Sequence, residues 1–270
     1  MDPLSYYLHR TADNHGPVML MYHAVTAGKA RPAWPWAVSM QQFRIQLDFL
    51  AAEGYATPTM GELIAAPLKQ WPRRTAVITF DDGYMDNFAA CEELHKRGMR
   101  ATWFIVSGSV GQTPGWPADG RPEGRLLNAA ELREMHAGGM EIGSHTVNHV
   151  RLPEASDGQL AAELADSRAA LEDMLGAGID SFAYPYGAWS DRCALAVKQA
   201  GYRAACTTRT GWALRDGDPL LLRRLTVFNV DTGSILARKL HFADNEVSWP
   251  VLARHGLNRI RRRLGRLDRT

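Results

Sequence analysis

Two groups of acidic and histidine side chains in this sequence could together bind a metal ion. Asp81 and Asp82 come directly after one apolar run, and His145 and His149 follow another. Carboxylates next to a buried run must be hydrated, paired or bound to a metal. One carboxylate and two histidines form a common catalytic zinc set that leaves a coordination position for water. The other carboxylate could then act as a base, because neighbouring side chains on a strand point in opposite directions.

Each group has a simpler explanation when it is considered alone. The two aspartates could cap the N-terminus of a helix. Among nine histidines a pair four residues apart also arises by chance, although that spacing lets both face one way on a helical turn. The position of both groups after predicted buried strands favours a shared metal site, because a fold can bring strand ends together.

Two further positions at strand ends are candidates for the same site. His23 closes the apolar segment 18–22, and Tyr186 lies in the turn Tyr184–Gly187. The turn could wall a pocket and present a backbone N–H group. Taken alone, a single histidine such as His23 is more often a core or surface residue than a catalyst, and the turn is better explained as two packed tyrosines.

The elements that must position these residues alternate between apolar strands and helices. The pattern predicts strands over 18–22, 75–80, 101–106, 140–143, 181–184, 203–207 and 222–228. It predicts six helices. Three of them begin at Ser39, at Asn128 (with Glu131 as a capping box) and near Gly233, and a fourth follows the Asp-Asp pair. The other two cover residues 156–175 and 190–200. Continuous apolar strands separated by helices indicate parallel strands, and a barrel-like (β/α) architecture is the natural closure at this length.

The composition excludes several classes of protein. The chain of 270 residues is 46% hydrophobic with a net charge of +2, which excludes disorder as its main state. No apolar run approaches the length of a membrane-spanning helix. The start Met1-Asp2-Pro3 lacks the features of a secretory signal, so we expect a cytoplasmic protein. Three widely spaced cysteines predict reduced thiols rather than a disulfide framework.

Three motifs of the chain resemble those of a known enzyme family. The segments 79–84 (TFDDGY), 144–149 (SHTVNH) and 184–187 (YPYG) are similar to the first three motifs of polysaccharide deacetylases, which are carbohydrate esterases of family 4 with the NodB-homology domain. The opening 21–25 (MYHAV) is similar to the branch with the poly-N-acetylglucosamine deacetylases of exopolysaccharide systems. The resemblance covers roughly residues 17–242, and its first two motifs together are highly specific.

The resemblance implies a distorted (β/α)7 barrel as a single domain over residues 17–247. An N-terminal extension (1–16) precedes it, and a basic tail (248–270) follows it. By the same resemblance, Asp82, His145 and His149 bind a divalent metal. This metal is usually zinc, with Co²⁺, Ni²⁺, Mn²⁺ or Fe²⁺ as alternatives.

The resemblance also implies the catalytic roles. Asp81 is the general base, and the backbone N–H of Tyr186 contributes to the oxyanion hole. The chain departs from the family pattern at two positions: the Arg that pairs with the base and the His that acts as general acid. The Arg that usually pairs with the base is replaced by Ala183, and Arg224 could supply that charge or be a surface residue. The usual general-acid His near the C-terminus is not evident. The resemblance to the exopolysaccharide branch, which is circularly permuted and places a strand-end His first, implies His23 in that role, with His241 as the alternative.

The implied reaction removes N-acetyl groups from amino sugars in a polysaccharide or lipid-linked glycan precursor. An O-acetyl esterase and a non-catalytic glycan-binding or scaffold protein are the alternatives. The missing Arg favours a scaffold slightly, whereas the retained aspartates and histidines argue against it. Four tryptophans could be sugar platforms or core residues: Trp34, Trp36, Trp116 and Trp189.

The charge of the chain is concentrated at its C-terminal end. Residues 254–270 hold seven arginines and one aspartate, so the rest of the chain is net acidic. Four apolar residues recur at helical spacing there: Leu257, Ile260, Leu264 and Leu267. A basic amphipathic helix is predicted, which either lies on anionic lipid at the inner face of the membrane or packs on the acidic body. No aromatic stacking platform accompanies the basic residues, so we expect no nucleic-acid partner.

Overall fold

A computed structural model describes residues 2–11, 16–67, 70–117 and 120–254. The strands are β1 (Val18–Tyr22), β2 (Ala24–Thr26), β3 (Ala37–Ser39), β4 (Ala76–Phe80), β5 (Thr102–Ile105), β6 (Glu141–Ser144), β7 (Ser181–Ala183), β8 (Ala204–Cys206) and β9 (Leu225–Thr226). The α-helices are α1 (Pro3–Arg10), α2 (Met40–Ala52), α3 (Met60–Ala65), α4 (Asn87–His95), α5 (Ala129–Ala137), α6 (Asp157–Leu175), α7 (Asp191–Gln199) and α8 (Gly233–Phe242).

Seven strands form one parallel sheet in the order β8-β7-β6-β5-β4-β1-β9. Parallel neighbours need crossover connections, which most of the helices supply. The sheet curls into a distorted (β/α)7 barrel, so the expected fold is confirmed. The strands β2 and β3 form a separate parallel pair.

The barrel closes through the segment that leads into β9. Leu222 forms an isolated parallel bridge with Cys206 of β8, whereas Leu225 and Thr226 pair with Leu20 and Met21 of β1. The segment therefore changes partners part-way along. The predicted strand over 222–228 is too long, because only two of its residues pair continuously with β1.

The helix predictions agree well where capping and periodicity coincide. The side chain of Ser156 accepts a hydrogen bond from the Gln159 amide at the start of α6, and Gly176 ends the helix with a left-handed φ of 66°. The capping box between Asn128 and Glu131 begins α5. These helices pack one face against the sheet.

The helix α1, which lies in the N-terminal extension, was not predicted. Asp2 caps this helix and Pro3 occupies its first turn. The helix packs against α8, where Arg238 donates a hydrogen bond to the hydroxyl of Ser5. Eight residues are too few to show a helical period, so the pattern could not reveal it.

Alternate residues of the strands face the two sides of the sheet. Leu20 and Ile78 pack with the surrounding helices, whereas Met19 and Val77 pack inside the barrel with Met60 of α3. The barrel interior is thus filled at the end opposite the carboxyl ends of the strands.

Two findings concern membranes and the basic tail. No α-helix within the described ranges is both long and apolar enough to cross a membrane. The amphipathic helix predicted for the tail falls on residues 255–270, which lie outside the described residues.

Candidate active site

The candidate residues lie together at the carboxyl ends of the barrel strands. His23 follows β1, Asp81 and Asp82 follow β4, His145 follows β6, and Tyr186 lies in the turn after β7. In parallel barrels this end carries the active site, since the strand-to-helix loops converge there. The alternation of strands and helices therefore brings together residues that are more than 160 positions apart in the chain.

Asp82 and the two histidines of the second motif form a compact buried group. Asp82 Oδ1 lies 3.5 Å from His145 Nε2 and 3.3 Å from His149 Nε2. The three candidate ligand atoms lie within 4.8 Å of one another. All three side chains are buried, so few waters can separate them.

Unusual backbone conformations bring these ligands together. Asp82, Thr146, His149 and Tyr186 have positive φ angles of 72°, 69°, 57° and 59°. They are four of the five non-glycine residues with positive φ in the part of the chain that the structure describes. Such strained positions cluster at functional sites. The expectation that the histidines share a helical turn is wrong, because residues 145–149 form a loop.

The ring nitrogens of the histidines define what this group can bind. His145 Nδ1 lies 2.7 Å from the carbonyl oxygen of Ala183, which only accepts, so Nδ1 carries the proton. Burial lowers the pKa of His145 to about 4, and its Nε2 is then an acceptor. His149 Nδ1 lies 3.1 Å from the hydroxyl of Tyr186, a group that can either donate or accept.

The converging acceptors fit a divalent cation. A neutral His145 presents a lone pair on Nε2 toward a carboxylate oxygen of Asp82, which is also an acceptor. Two acceptors face each other favourably only when a positive charge lies between them. Nitrogen and oxygen ligands of this kind suit Zn²⁺, and the backbone carbonyl that holds His145 Nδ1 is a typical partner of a metal-bound histidine.

Asp81 is held by a second group of contacts. Arg224 donates from Nη1 to Asp81 Oδ1 at 2.6 Å and from Nη2 to Oδ2 at 2.8 Å. The guanidinium also donates to the carbonyl of Thr207 and the hydroxyl of Thr79, and it is fully buried. The positive charge absent at Ala183 therefore reaches the carboxylate from the segment that closes the barrel.

The two carboxylates are both kept ionised. Burial by itself would raise the pKa of Asp81, but the charge of the Arg224 guanidinium holds this pKa below its ordinary value. Burial would also raise the pKa of Asp82, but in the metal-free site a hydrogen bond and positive charge from His149 hold this pKa well below its usual range, a role that a bound cation would take over. Asp81 can therefore accept a proton while Asp82 remains an anionic ligand.

The structure brings His23, and not His241, to the site. His23 lines the same cavity as the two aspartates. Its ring packs edge-to-face on Trp34 with centroids 5.8 Å apart, and its carbonyl accepts a hydrogen bond from Asn87. His241 instead lies on α8 against Phe242 and does not line the cavity.

A cavity of about 450 Å³ opens above the aspartates and histidines. The aromatic residues in its wall are Trp34, Trp36, Tyr84, Trp116 and Tyr186. The ring of Trp116 lies 4.5 Å from that of His149. Trp189, the remaining tryptophan considered as a sugar platform, lies outside the cavity lining beneath the guanidinium of Arg209.

The sequence pattern did not identify Glu163, which contacts the loop that carries the histidines. Its carboxylate accepts hydrogen bonds from the amides of Val147 and Asn148. The available signal was its position on the apolar face of α6, between Leu160 and Leu164. An acidic residue on such a face needs buried partners.

The chain is similar to carbohydrate deacetylases over most of its length. Residues 69–205 match the family model described as polysaccharide deacetylase. YxkH of Bacillus subtilis (strain 168), which is itself provisionally named a polysaccharide deacetylase, is 30% identical over 80% of this chain and 73% of its own length. The poly-beta-1,6-N-acetyl-D-glucosamine N-deacetylase of Staphylococcus epidermidis is 25% identical over 72% of this chain and 69% of its own length.

Solved structures agree with these matches. The deacetylase PplD of Streptococcus pyogenes, solved with acetate, has a TM-score of 0.72 and 26% identity, covering 83% of this chain and 97% of its own. IcaB from Ammonifex degensii has a TM-score of 0.70 and 27% identity, covering 84% and 97%. The fold, the grouped motif residues and these matches agree: the chain belongs to the polysaccharide deacetylase family.

Proposed function

We propose that this chain is a metal-dependent hydrolase that removes N-acetyl groups from amino sugars in a polysaccharide or a lipid-linked glycan precursor. The observation that carries the proposal is the pair of adjacent carboxylates with different partners. Asp82 faces two histidine Nε2 atoms, and Asp81 is paired with a buried arginine. Hydrolysis of an amide needs both an electrophilic centre and a separate base.

The proposed roles follow from these partners. A divalent cation, with zinc as our first choice, would be held by Asp82, His145 and His149 and would polarise the acetamide carbonyl and acidify its water. Asp81 accepts the proton of the attacking water. His23, which lines the same cavity, donates a proton to the departing amine.

The oxyanion is stabilised by the backbone. The N–H of Tyr186 belongs to a residue with left-handed geometry at the cavity wall, and we assign it as a donor to the developing negative charge. Arg224 keeps Asp81 ionised and fixes the plane of its carboxylate through two parallel hydrogen bonds.

The substrate class is supported by the cavity wall and by a relative. The partly buried rings of Trp36 and Trp116 offer apolar faces against which a sugar ring can stack, whereas Trp34 is a core residue that is only 6% exposed. A relative is named as a deacetylase of poly-N-acetylglucosamine, so we propose a role in exopolysaccharide synthesis. We also propose that the enzyme works in the cytoplasm at the inner face of the membrane, on the basis of the arginine-rich tail.

Asp81→Asn tests the proposal directly. We expect release of acetate from N-acetylglucosamine oligomers to fall by about 10²–10⁴-fold, the usual contribution of a general base. The zinc content measured by elemental analysis should stay at the wild-type level, whereas Asp82→Asn should lose the metal. Unchanged turnover in Asp81→Asn would contradict the assigned base. Faster release of acetate from O-acetyl sugars than from acetamido sugars would instead favour the esterase.

A further inference from the structure

We propose that Glu163 is a positioning residue that holds the histidine loop, residues 145–149, in its metal-binding conformation and thereby sets the affinity for the metal. This inference rests on the metal site of the proposed function. Glu163 lies on α6 and does not line the cavity, so its role is carried out through the loop.

The contacts of Glu163 are directed at the loop backbone. Its Oε2 accepts hydrogen bonds from the amides of Val147 and Asn148, each at 2.9 Å. Its Oε1 accepts from the side-chain amide of Asn148 at 2.7 Å. Glu163 is 5% exposed, so water cannot readily replace these bonds, and amides left unpaired there would be costly.

The opposite edge of the loop is held by the segment that follows β5. The amides of Ser107 and Gly108 donate to the carbonyl oxygens of Thr146 and Val147, at 3.1 and 3.0 Å. A Cβ at Gly108 would lie 2.6 Å from the carbonyl oxygen of Val147, so only glycine permits this approach. The loop is therefore clamped through its carbonyls on one side and through its amides, by Glu163, on the other.

The loop needs these clamps because its conformation is unfavourable by itself. Thr146 and His149 are both left-handed, although neither is a glycine, and Thr146 is β-branched. One further bond, from the His149 amide to the Thr146 hydroxyl at 2.9 Å, closes the turn. Without the carboxylate, the chain would relax toward ordinary backbone angles and His149 would move away from Asp82.

The consequence concerns metal affinity more than overall folding. The ligand atoms of Asp82, His145 and His149 already converge within 4.8 Å, so binding requires little rearrangement. Removing a residue that hydrogen-bonds to a metal ligand and orients it typically lowers the affinity for the metal by about 10–100-fold. Glu163 orients the histidines in the same way, but it binds the backbone amides of the loop that carries them rather than a ring nitrogen.

Four single variants of the full chain test the inference. Glu163→Ala removes all three hydrogen bonds, and Glu163→Gln removes the charge and one acceptor. Asn148→Ala removes only the side-chain bond and leaves both backbone amides held. Asp166→Ala is the matched control, because it removes an exposed acid from the same helix.

Three readouts separate positioning from general stability. The Kd for Zn²⁺ is measured by competition with a chelating dye, and the visible absorption of the Co²⁺-loaded protein reports the ligand geometry. Hydrogen exchange of the metal-free protein reports protection of the amides of Val147 and Asn148.

We expect Zn²⁺ to bind about 10–100-fold more weakly in Glu163→Ala, with an altered Co²⁺ spectrum and faster exchange at these amides. Glu163→Gln should weaken Zn²⁺ binding about tenfold, and Asn148→Ala less, while Asp166→Ala should match the wild type.

The outcomes that overturn the inference are distinct from those that overturn the proposed function. Wild-type Zn²⁺ affinity and Co²⁺ spectrum in Glu163→Ala overturn the inference alone. If Glu163→Ala does not fold, wild-type affinity and spectrum in Glu163→Gln overturn it in the same way. A wild-type protein that binds no Zn²⁺ overturns the inference together with the metal-dependent function.

Discussion

The neighbouring aspartates of this site are both buried and ionised, but they have different partners. Asp81 meets a guanidinium on both carboxylate oxygens, whereas Asp82 meets two imidazole nitrogens on one oxygen. Their side chains diverge because Asp82 takes a left-handed conformation directly after the strand. One motif thus supplies both a base and a ligand without these groups competing for the same partner.

Arg224→Met should shift the acidic limb of the kcat/KM–pH profile to higher pH. Without the guanidinium, the largest opposition to burial is lost, so the pKa of Asp81 rises, and the base must be ionised to accept a proton. Below the new pKa the loss should approach about 10²–10⁴-fold, the whole contribution of a general base. Steady-state kinetics across the acidic and neutral range measures the shift.

Two variants serve as controls for this shift. Arg224→Lys keeps a positive charge and should move the limb less, although it loses the bidentate geometry. Arg223→Met removes the adjacent arginine, which binds Asp216 away from Asp81, and should leave the profile in place. Superimposable profiles for Arg224→Met and the wild type would show that Arg224 does not tune the base.

Residue types and motif spacing were sufficient to nominate the residues that now lie together. They could not show how the histidines converge, because left-handed angles at Thr146 and His149 leave no mark in the sequence. They also could not place Arg224 inside the barrel, since an arginine in a predicted strand is usually a surface residue. Its burial depends on partners such as Thr79 and Asp81 that are distant in the chain.

Among the elements, α8 stabilises the short strand that closes the barrel. Lys239 of α8 donates to the carbonyl of Thr226 in β9 at 2.7 Å and to the carboxylate of Asp231. Both charged groups are buried, and Asp231 also accepts from the amide of Phe228. Because β9 has only two residues in the sheet, these side-chain bonds replace the hydrogen bonds that a longer strand would form.

Lys239→Met should destabilise the protein by about 3–5 kcal/mol, because it leaves the Asp231 carboxylate buried and unpaired. Urea unfolding followed by tryptophan fluorescence measures this change in the free energy of unfolding. The double variant Lys239→Met/Asp231→Asn should be less destabilised than the sum of its single variants, since it removes the uncompensated charge. Lys198→Met on the exposed face of α7 should stay within about 0.5 kcal/mol of the wild type. A similarly small effect of Lys239→Met would contradict the role assigned to α8.

Elements with strong local signals were predictable, and those fixed by distant contacts were not. The helix α6 shows its cap, its apolar period and its terminal glycine in the sequence, and its predicted bounds are confirmed. The pair of β2 and β3 and the helix α1 are too short for a period to emerge. The change of partners at Leu222 depends on closure of the whole barrel, which no local pattern reports.

For the molecule as a whole, charge is divided between an acidic body and a basic end. The body carries the site, and its family membership follows from motifs that lie within it. The predicted tail helix lies outside the described residues, so its proposed role depends on composition. Apolar residues spaced three and four apart and surrounded by arginines predict a helix that either binds an anionic lipid surface, as we propose, or packs on the acidic body.

The membrane proposal predicts that the full chain pellets with vesicles rich in anionic phospholipid and that the chain shortened to residues 1–253 does not. Each arginine near such a surface contributes about 1 kcal/mol, so loss of the seven arginines of residues 254–270 should lower partitioning by at least about 100-fold. Raising the salt concentration should weaken binding of the full chain, because screening acts on exposed charges, and zwitterionic vesicles should retain little of either protein.

Acetate release by the shortened chain from a soluble substrate should match that of the full chain, since the described site residues all precede residue 254. Equal pelleting of the two proteins would instead indicate that the tail packs on the acidic body.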